Sequence, residues 1–200
     1  MAAIRDEVIS AAIIRAYALL DLSIQNSLEK QHEFTKQTIL ADESLTKDEK
    51  SEAIKWLNED YDHNKIIFNK GVKRICENCQ DECLATLYCE HCVRNYLVAN
   101  FSIWTSGNDD IDNLIQQCQM ETFSPDKIIE WIPYNNLQNI EYLTKGGCSE
   151  IYTAGWIDGR YDKWINEENR LKRFGEHYVV LKKLENVENA SRSWFEEVFN

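Results

Sequence analysis

The sequence lacks any long hydrophobic run and carries little positive charge. A helix that spans a bilayer needs about 20 predominantly apolar residues in a row. The chain has no such stretch, so no membrane association is predicted. Lys and Arg together number 22 against 34 Asp and Glu, which gives a net charge of -12 at pH 7. Nucleic-acid backbones are bound through clustered positive charge, so no nucleic-acid partner is predicted either.

Some of the basic residues form two short groups. The first group holds Lys65, Lys70, Lys73 and Arg74, and the second holds Arg170, Lys172 and Arg173. Neither group extends into a long basic face. Because isolated short groups of this kind are usually hydrated, we expect both to be solvated surfaces rather than binding sites.

The composition contains enough apolar material for a folded core. The chain is 44% apolar and has six tryptophans among its 200 residues, which suffices for one or two compact units. Its first seven residues, Met-Ala-Ala-Ile-Arg-Asp-Glu, carry charges and do not match a cleavable signal peptide. We therefore expect a reducing, cytoplasmic location, where cysteines remain thiols or bind metals.

Helical periodicity dominates the N-terminal third. Apolar residues recur every three to four positions at Ile9, Ile13, Ala16, Leu20 and Ile24. This spacing predicts one helix from about residue 2 to residue 30. A capping box at Thr46 and Glu49 predicts the start of a second helix that continues to Gly71. Residues 1–72 would then form an antiparallel helical hairpin, which is either a packing scaffold or an interaction surface.

Five of the seven cysteines fall between residues 76 and 92. Four of them form two Cys-x-x-Cys pairs, Cys76 with Cys79 and Cys89 with Cys92. Two such pairs can bring four thiolates to one tetrahedral centre, so residues 73–100 are predicted to hold a structural Zn²⁺. Cys83 could replace one member, and His91 is expected to point outwards. The alternative is a set of buried reduced cysteines that pack as small hydrophobic side chains.

Residues 101–134 are predicted to be a short helical connector. Apolar residues at helical spacing follow Ser106-Gly-Asn108, so a helix should begin there. A second helix is expected to start at Pro125, a residue favoured at the first helical position, and to end at Pro133. Further on, residues 155–177 form a polar excursion between two predicted strands.

The segment Leu143-Thr-Lys-Gly-Gly-Cys-Ser-Glu-Ile-Tyr-Thr-Ala154 partly matches the Gly-rich loop pattern G-x-G-x-x-G-x-V of protein kinases. Gly146 matches the second glycine and Ile151 matches the valine. Thr144 and Ser149 stand at the other two glycine positions. Gly147 leaves the loop tip able to approach a ligand closely.

A second segment, Val179-Val-Leu-Lys, fits the kinase strand pattern V-A-I-K and makes Lys182 the candidate for pairing with ATP phosphates. Residues 189–198 read as a helix, on which Glu197 is the candidate partner of Lys182. Glu196 is the alternative, because neighbouring helical residues point about 100° apart. The competing interpretation of Lys182 is a solvated lysine on an edge strand.

Three further segments carry a family resemblance: Ile129-Glu-Trp-Ile-Pro-Tyr134, Asn139-Ile-Glu-Tyr-Leu143 and Tyr152-Thr-Ala-Gly-Trp156. They resemble the start of the kinase domain in the expanded kinase families of arbuscular mycorrhizal fungi, with Cys148 at the usual aromatic position. The resemblance covers about residues 129–200. It implies an incomplete kinase N-lobe at 135–200, and with the predicted helical region and Cys-rich segment before this lobe the fold class is α+β. That lobe would comprise antiparallel strands and the start of the αC helix. It also implies ATP with magnesium, and a role in signalling.

The chain contains neither His-Arg-Asp nor Asp-Phe-Gly, so the catalytic base and the magnesium-binding aspartate of a kinase are missing. We therefore expect no kinase activity from these 200 residues alone. One predicted function is a kinase-like lobe that binds ATP through Gly146, Gly147, Ile151 and Lys182. The alternative is a zinc-supported interaction module with a degenerate pseudokinase tail and a protein partner.

Overall fold

The computed structural model of the chain describes residues 4–145 and 149–184. Over those ranges the fold is α+β, as predicted, with five α-helices and small antiparallel sheets. The chain divides into two compact units, Met1–His91 and Cys92–Asn200. None of the helices in the described ranges is long and apolar enough to cross a bilayer.

Three helices form the first part of unit one: α1 (Asp6–Ala18), α2 (Leu28–Ala41) and α3 (Lys47–Ile67). Each contributes to one apolar core, whose fully buried members are Ile9, Ala12, Ala16, Ile39, Ala53 and Leu57. The bundle therefore has three helices where the sequence predicted a hairpin of two.

The predicted single helix over residues 2–30 is wrong, because the chain leaves the helix after Ala18. The Asp21 carboxylate accepts hydrogen bonds from the backbone N–H of Ser23 at 2.9 Å and from its hydroxyl at 2.6 Å. Such local side-chain bonds compete with helical ones and favour a turn. Ser27 then caps α2 by accepting from the N–H of Lys30.

The predicted capping box at the start of α3 is confirmed. The Thr46 hydroxyl accepts from the N–H of Glu49 at 3.3 Å, and the Glu49 carboxylate accepts from the N–H of Thr46 at 2.9 Å. The helix ends at Ile67 rather than continuing to Gly71, which has a φ of 108° in the loop that follows.

The Cys-rich segment contains little regular structure apart from one helix. Two-residue strands β1 (Arg74–Ile75) and β2 (Glu82–Cys83) pair antiparallel, and α4 (Glu90–Ala99) follows them. A two-stranded ribbon of this length is not stable by itself in water. The segment therefore depends on contacts made by its side chains.

In unit two, the predicted helix near residue 108 is confirmed as α5 (Asp109–Glu121), with the Asn108 side chain as its N-cap. The helix expected at Pro125 is wrong, since Pro125–Lys127 makes only one 3₁₀ turn. The chain then runs extended, and Glu130 accepts from the N–H of Tyr161 at 3.1 Å and from Arg173 at 2.7 Å. These tertiary contacts outweigh the local helical signal.

The strands of unit two form two separate antiparallel sheets. One sheet has the order β3 (Leu137–Lys145), β4 (Ser149–Trp156), β7 (His177–Leu184). The other is a hairpin of β5 (Tyr161–Ile165) and β6 (Arg170–Arg173), which occupies the region predicted to be a polar excursion. Trp164 and Leu171 are buried on this hairpin, so the excursion is an ordered element.

Candidate metal centre

The first cysteine pair, Cys76 and Cys79, lies on a tight turn between β1 and β2. The N–H of Gln80 donates to the carbonyl of Cys76 at 3.0 Å, and the N–H of Cys76 donates to the carbonyl of Asp81 at 2.9 Å. Gln80 has a φ of 63°, in the left-handed region. This turn holds the two cysteines close together in space.

The second cysteine pair, Cys89 and Cys92, lies at the start of α4. Cys89 immediately precedes the helix and Cys92 is in its first turn. Residues three apart on a helix share a face, so the two sulfurs point to the same side. The N-terminal end of a helix also favours negative charge, which suits thiolates.

The structure brings the two pairs together. The sulfurs of Cys76, Cys79, Cys89 and Cys92 all lie within 4.8 Å of one another, and we call these residues the four-cysteine group. The Sγ atoms of Cys79 and Cys89 are 3.6 Å apart. A disulfide would place them about 2.05 Å apart. Tetrahedral zinc with Zn–S bonds of about 2.3 Å would place two sulfurs about 3.8 Å apart, close to the observed distance.

Burial of the four-cysteine group matches a closed site. Cys76, Cys89 and Cys92 are buried, and Cys79 is half-buried. His91 does not belong to the group, and its Nε2 lies 3.0 Å from the carbonyl oxygen of Glu82. The spacing of the cysteines therefore predicted a set of four sulfurs whose geometry is compatible with a metal ion.

Cys83, the predicted alternative ligand, lies next to the four-cysteine group rather than in it. It forms a second close set with Cys89 and Glu90, in which all three residues are buried and their ligand atoms lie within 4.8 Å of one another. Burial raises the pKa of the Cys83 thiol, with the positive charge of Arg74 acting in the opposite direction. The Glu90 carboxylate accepts from the backbone N–H groups of Leu84 at 2.8 Å and Ala85 at 3.4 Å.

The loop between the two cysteine pairs is attached to α3 by a buried ion pair, Asp62 with Lys65. The Asp62 carboxylate accepts from the N–H of Thr86 at 2.8 Å, from its hydroxyl at 2.7 Å and from the N–H of Leu87 at 2.7 Å. Lys65 Nζ lies 2.9 Å from Asp62 and donates to the carbonyl of Leu84 at 2.6 Å. Four of the loop's polar groups are thus bound by this one pair.

The expectation that the basic groups are solvated is therefore wrong for several members. Lys65 is only 1% exposed. Arg74 is half-buried and donates to the carbonyls of Ala85 at 2.8 Å and Tyr88 at 2.5 Å. Arg173, in the second group, pairs with Glu130. An acid and a base three residues apart on a helix usually lie at the surface, so no local pattern indicated that Asp62 and Lys65 would be buried.

Only two of the residues predicted to form an ATP site, Ile151 and Lys182, lie within the described part of the chain. Lys182 lies exposed on β7, and the register places it opposite Ile151 on β4. Gly146 and Gly147 lie outside the described residues, as do Glu196 and Glu197. The structure thus brings together Ile151 and Lys182 from the predicted set.

Comparisons of the chain with protein-family models, with curated proteins and with solved structures find no match. The kinase resemblance therefore remains a prediction carried by the sequence motifs.

Proposed function

We propose that the chain is a zinc-supported interaction module in which the four-cysteine group holds one structural Zn²⁺. The observation that carries this proposal is the convergence of four sulfurs, from two separate Cys-x-x-Cys pairs, within 4.8 Å of one another. Thiolate ligands in tetrahedral sets favour zinc over magnesium or calcium, which prefer oxygen. Four protein ligands leave no coordination position for a substrate, so the proposed zinc would stabilise the fold of the module rather than take part in catalysis.

The metal would supply the folding energy that this segment otherwise lacks. Strands β1 and β2 have two residues each. Structural zinc contributes on the order of 10 kcal/mol of apparent binding energy in zinc-finger peptides. Because the loop between the cysteine pairs is also bound by Asp62 and Lys65, an ordered site would stabilise its attachment to α3.

The test is the zinc content of the chain after purification without chelators. Elemental analysis should find about one zinc per chain. Cys76→Ser and Cys92→Ser should each lower this value strongly. Cys118→Ser is the matched control, because Cys118 lies on α5 and outside the four-cysteine group. Zinc content near zero in the unsubstituted chain would reject the proposal.

A second candidate function is a nucleotide-binding lobe related to protein kinases. One specific observation favours it: the register of the β3-β4-β7 sheet sets Lys182 directly beside Ile151. These are the lysine and valine positions of the two kinase patterns. Adjacent strands would then present both residues on one face of the sheet to a bound nucleotide.

Binding of a fluorescent ATP analogue tests this second function. Lys182→Ala should abolish binding, because the lysine supplies the positive charge that faces the phosphates. Lys183→Ala is the matched control, since Lys183 is the neighbouring lysine on the same strand and pairs with Glu150 at 3.2 Å. Equal binding by both variants, or no binding by the unsubstituted chain, would rule out this function.

A further inference from the structure

The cysteines of the four-cysteine group differ in their exposure to solvent. Cys76 is 5% exposed, Cys89 is 2% exposed and Cys92 is 4% exposed. Cys79 is half-buried, on the turn between β1 and β2. A small polar solute that reaches this group therefore meets Cys79 first. Reactivity of a thiol with oxidants follows its exposure as well as its thiolate character.

A second sulfur lies within reach of Cys79. The Cys89 Sγ is 3.6 Å away and comes from the other cysteine pair. Formation of a disulfide would require the two sulfurs to approach by about 1.5 Å, to the usual length of about 2.05 Å. Cys79 lies on a turn and Cys89 lies just before α4, so neither side chain is fixed within a regular helix.

From this arrangement we infer that Cys79 and Cys89 form a peroxide-sensitive disulfide site, and that its formation releases the metal. The inference rests on the proposed zinc site for its second half only. Cys79 is the sulfur that attacks peroxide, and Cys89 is the sulfur that resolves the product. Occupancy of the site by zinc and linkage of these two cysteines exclude each other, because the disulfide removes two of the four ligands.

The oxidation of Cys79 and Cys89 by peroxide proceeds in two successive displacements. In the first, the Cys79 thiolate attacks one oxygen of hydrogen peroxide and the O–O bond breaks. This step gives a sulfenic acid and a hydroxide, which takes up a proton to become water. In the second, the Cys89 sulfur attacks the sulfenic sulfur, the S–S bond forms, and hydroxide leaves and is protonated to water. Overall, two thiols are oxidised by two electrons, one peroxide is reduced, and two waters are produced.

The release of zinc follows from the ligand count. After the reaction only Cys76 and Cys92 remain as thiolates, and structural zinc requires four ligands. Cys83 lies beside Cys89 but is 1% exposed, so it is not the sulfur that peroxide reaches first. A reducing agent should restore both thiols, and added zinc should then refill the site.

The experiment uses the unsubstituted, zinc-loaded chain treated with hydrogen peroxide. Zinc release is followed with a chromogenic chelator, and disulfides are mapped by mass spectrometry of unreduced peptides. A 1,3-diketone added during the reaction traps sulfenic acids. We expect the trap on Cys79 before Cys76, Cys83, Cys89 or Cys92, a Cys79–Cys89 linkage, and zinc release at the same rate as that linkage. Dithiothreitol with zinc should reverse both changes.

Other outcomes overturn the inference. A linkage of Cys76 with Cys79, first trapping at Cys83, or complete resistance of the group to peroxide would each contradict it. A chain that carries no zinc would reject the proposed function alone, since the disulfide map of the metal-free, reduced chain still decides the oxidation site. In the variant Cys79→Ser, peroxide-driven loss of Cys89 thiol should slow at least tenfold, whereas Cys118→Ser should leave it unchanged.

Discussion

Asp62 and Lys65, one turn apart on α3, form an ion pair in which the side chains are 0% and 1% exposed and the charged atoms are 2.9 Å apart. Removing two charges from water is costly, and the cost is offset only when the remaining hydrogen-bonding capacity is also satisfied. Here the backbone of residues 84–87 satisfies it. The ammonium also lies 4.6 Å from the centre of the Tyr61 ring, a favourable cation–π distance. The pair therefore determines where the loop between the cysteine pairs is held.

Substitution of Lys65 should reveal how much this attachment contributes to the free energy of unfolding. Lys65→Met leaves the Asp62 carboxylate buried without its counter-charge, which typically costs about 3–5 kcal/mol of unfolding free energy. The matched control is Lys55→Met, because Lys55 pairs with Glu52 at the same spacing on the same helix but is 54% exposed. Exposed pairs contribute less than about 1 kcal/mol. Urea denaturation of the two variants measures both values, and similar losses would show that the buried pair contributes no more than an exposed one.

Gln80 should be a site where glycine stabilises the chain relative to alanine. Its φ of 63° is in the left-handed region, where a side chain costs about 1–2 kcal/mol. The Gln80 side chain donates to the carbonyl of Glu77 at 2.7 Å, and both Gln80→Gly and Gln80→Ala lose this bond. Comparing these two variants therefore isolates the backbone effect. We expect the glycine variant to be more stable by about 1 kcal/mol in urea denaturation.

The same pair of substitutions at Lys55 provides the control for Gln80. Lys55 lies in the interior of α3, where glycine is about 1 kcal/mol less favourable than alanine. The sign of the difference should thus reverse between the two positions. A glycine variant at residue 80 that is less stable than the alanine variant would contradict the strained turn.

Sequence reasoning succeeded where a local pattern has one structural solution. The Thr46–Glu49 capping box predicted the start of α3, because its side chains satisfy specific backbone groups. The apolar spacing after Ser106-Gly-Asn108 predicted the start of α5. The spacing of the cysteines predicted the four-cysteine group, because two Cys-x-x-Cys pairs can bring four sulfurs to one centre. In each case the relevant contacts lie within a few residues or within one short segment.

Prediction from the sequence failed where contacts between residues distant in the chain decide the structure. The local pattern places Asp62 at the surface, but its carboxylate accepts a hydrogen bond from the N–H of Thr86, which lies 24 residues later. Glu130 and Arg173 are 43 residues apart, and together they hold the region of Pro125 away from a helix. The break after Ala18 is a different case, because the bonds from Ser23 to the Asp21 carboxylate are local and the apolar spacing does not register them. Periodicity alone does not distinguish these cases.

The N-terminal contact between Arg5 and Glu49 should make the stability of the helical bundle depend on pH in the acid range. The Glu49 carboxylate accepts from Arg5 Nε at 2.7 Å and from the N–H of Thr46 at 2.9 Å. The hydrogen bond from Arg5, followed by that from Thr46, lowers the pKa of Glu49 from its usual 4.5 to about 2. A group whose pKa is lowered by folding stabilises the folded state above its unfolded pKa. That stabilisation is lost as the pH falls towards the folded value.

The unsubstituted chain should therefore be more stable than Glu49→Gln at pH 7, and this difference should shrink between about pH 4.5 and pH 2. Urea denaturation followed by far-ultraviolet circular dichroism at several pH values measures the difference. Protonation of the cysteines and loss of any metal affect both chains equally, so they cancel in the comparison. Glu43→Gln removes an exposed carboxylate from the turn before α3 and is the matched control. A Glu49→Gln difference that stays constant from pH 7 to pH 2 would mean that the Arg5 contact does not favour the ionised carboxylate.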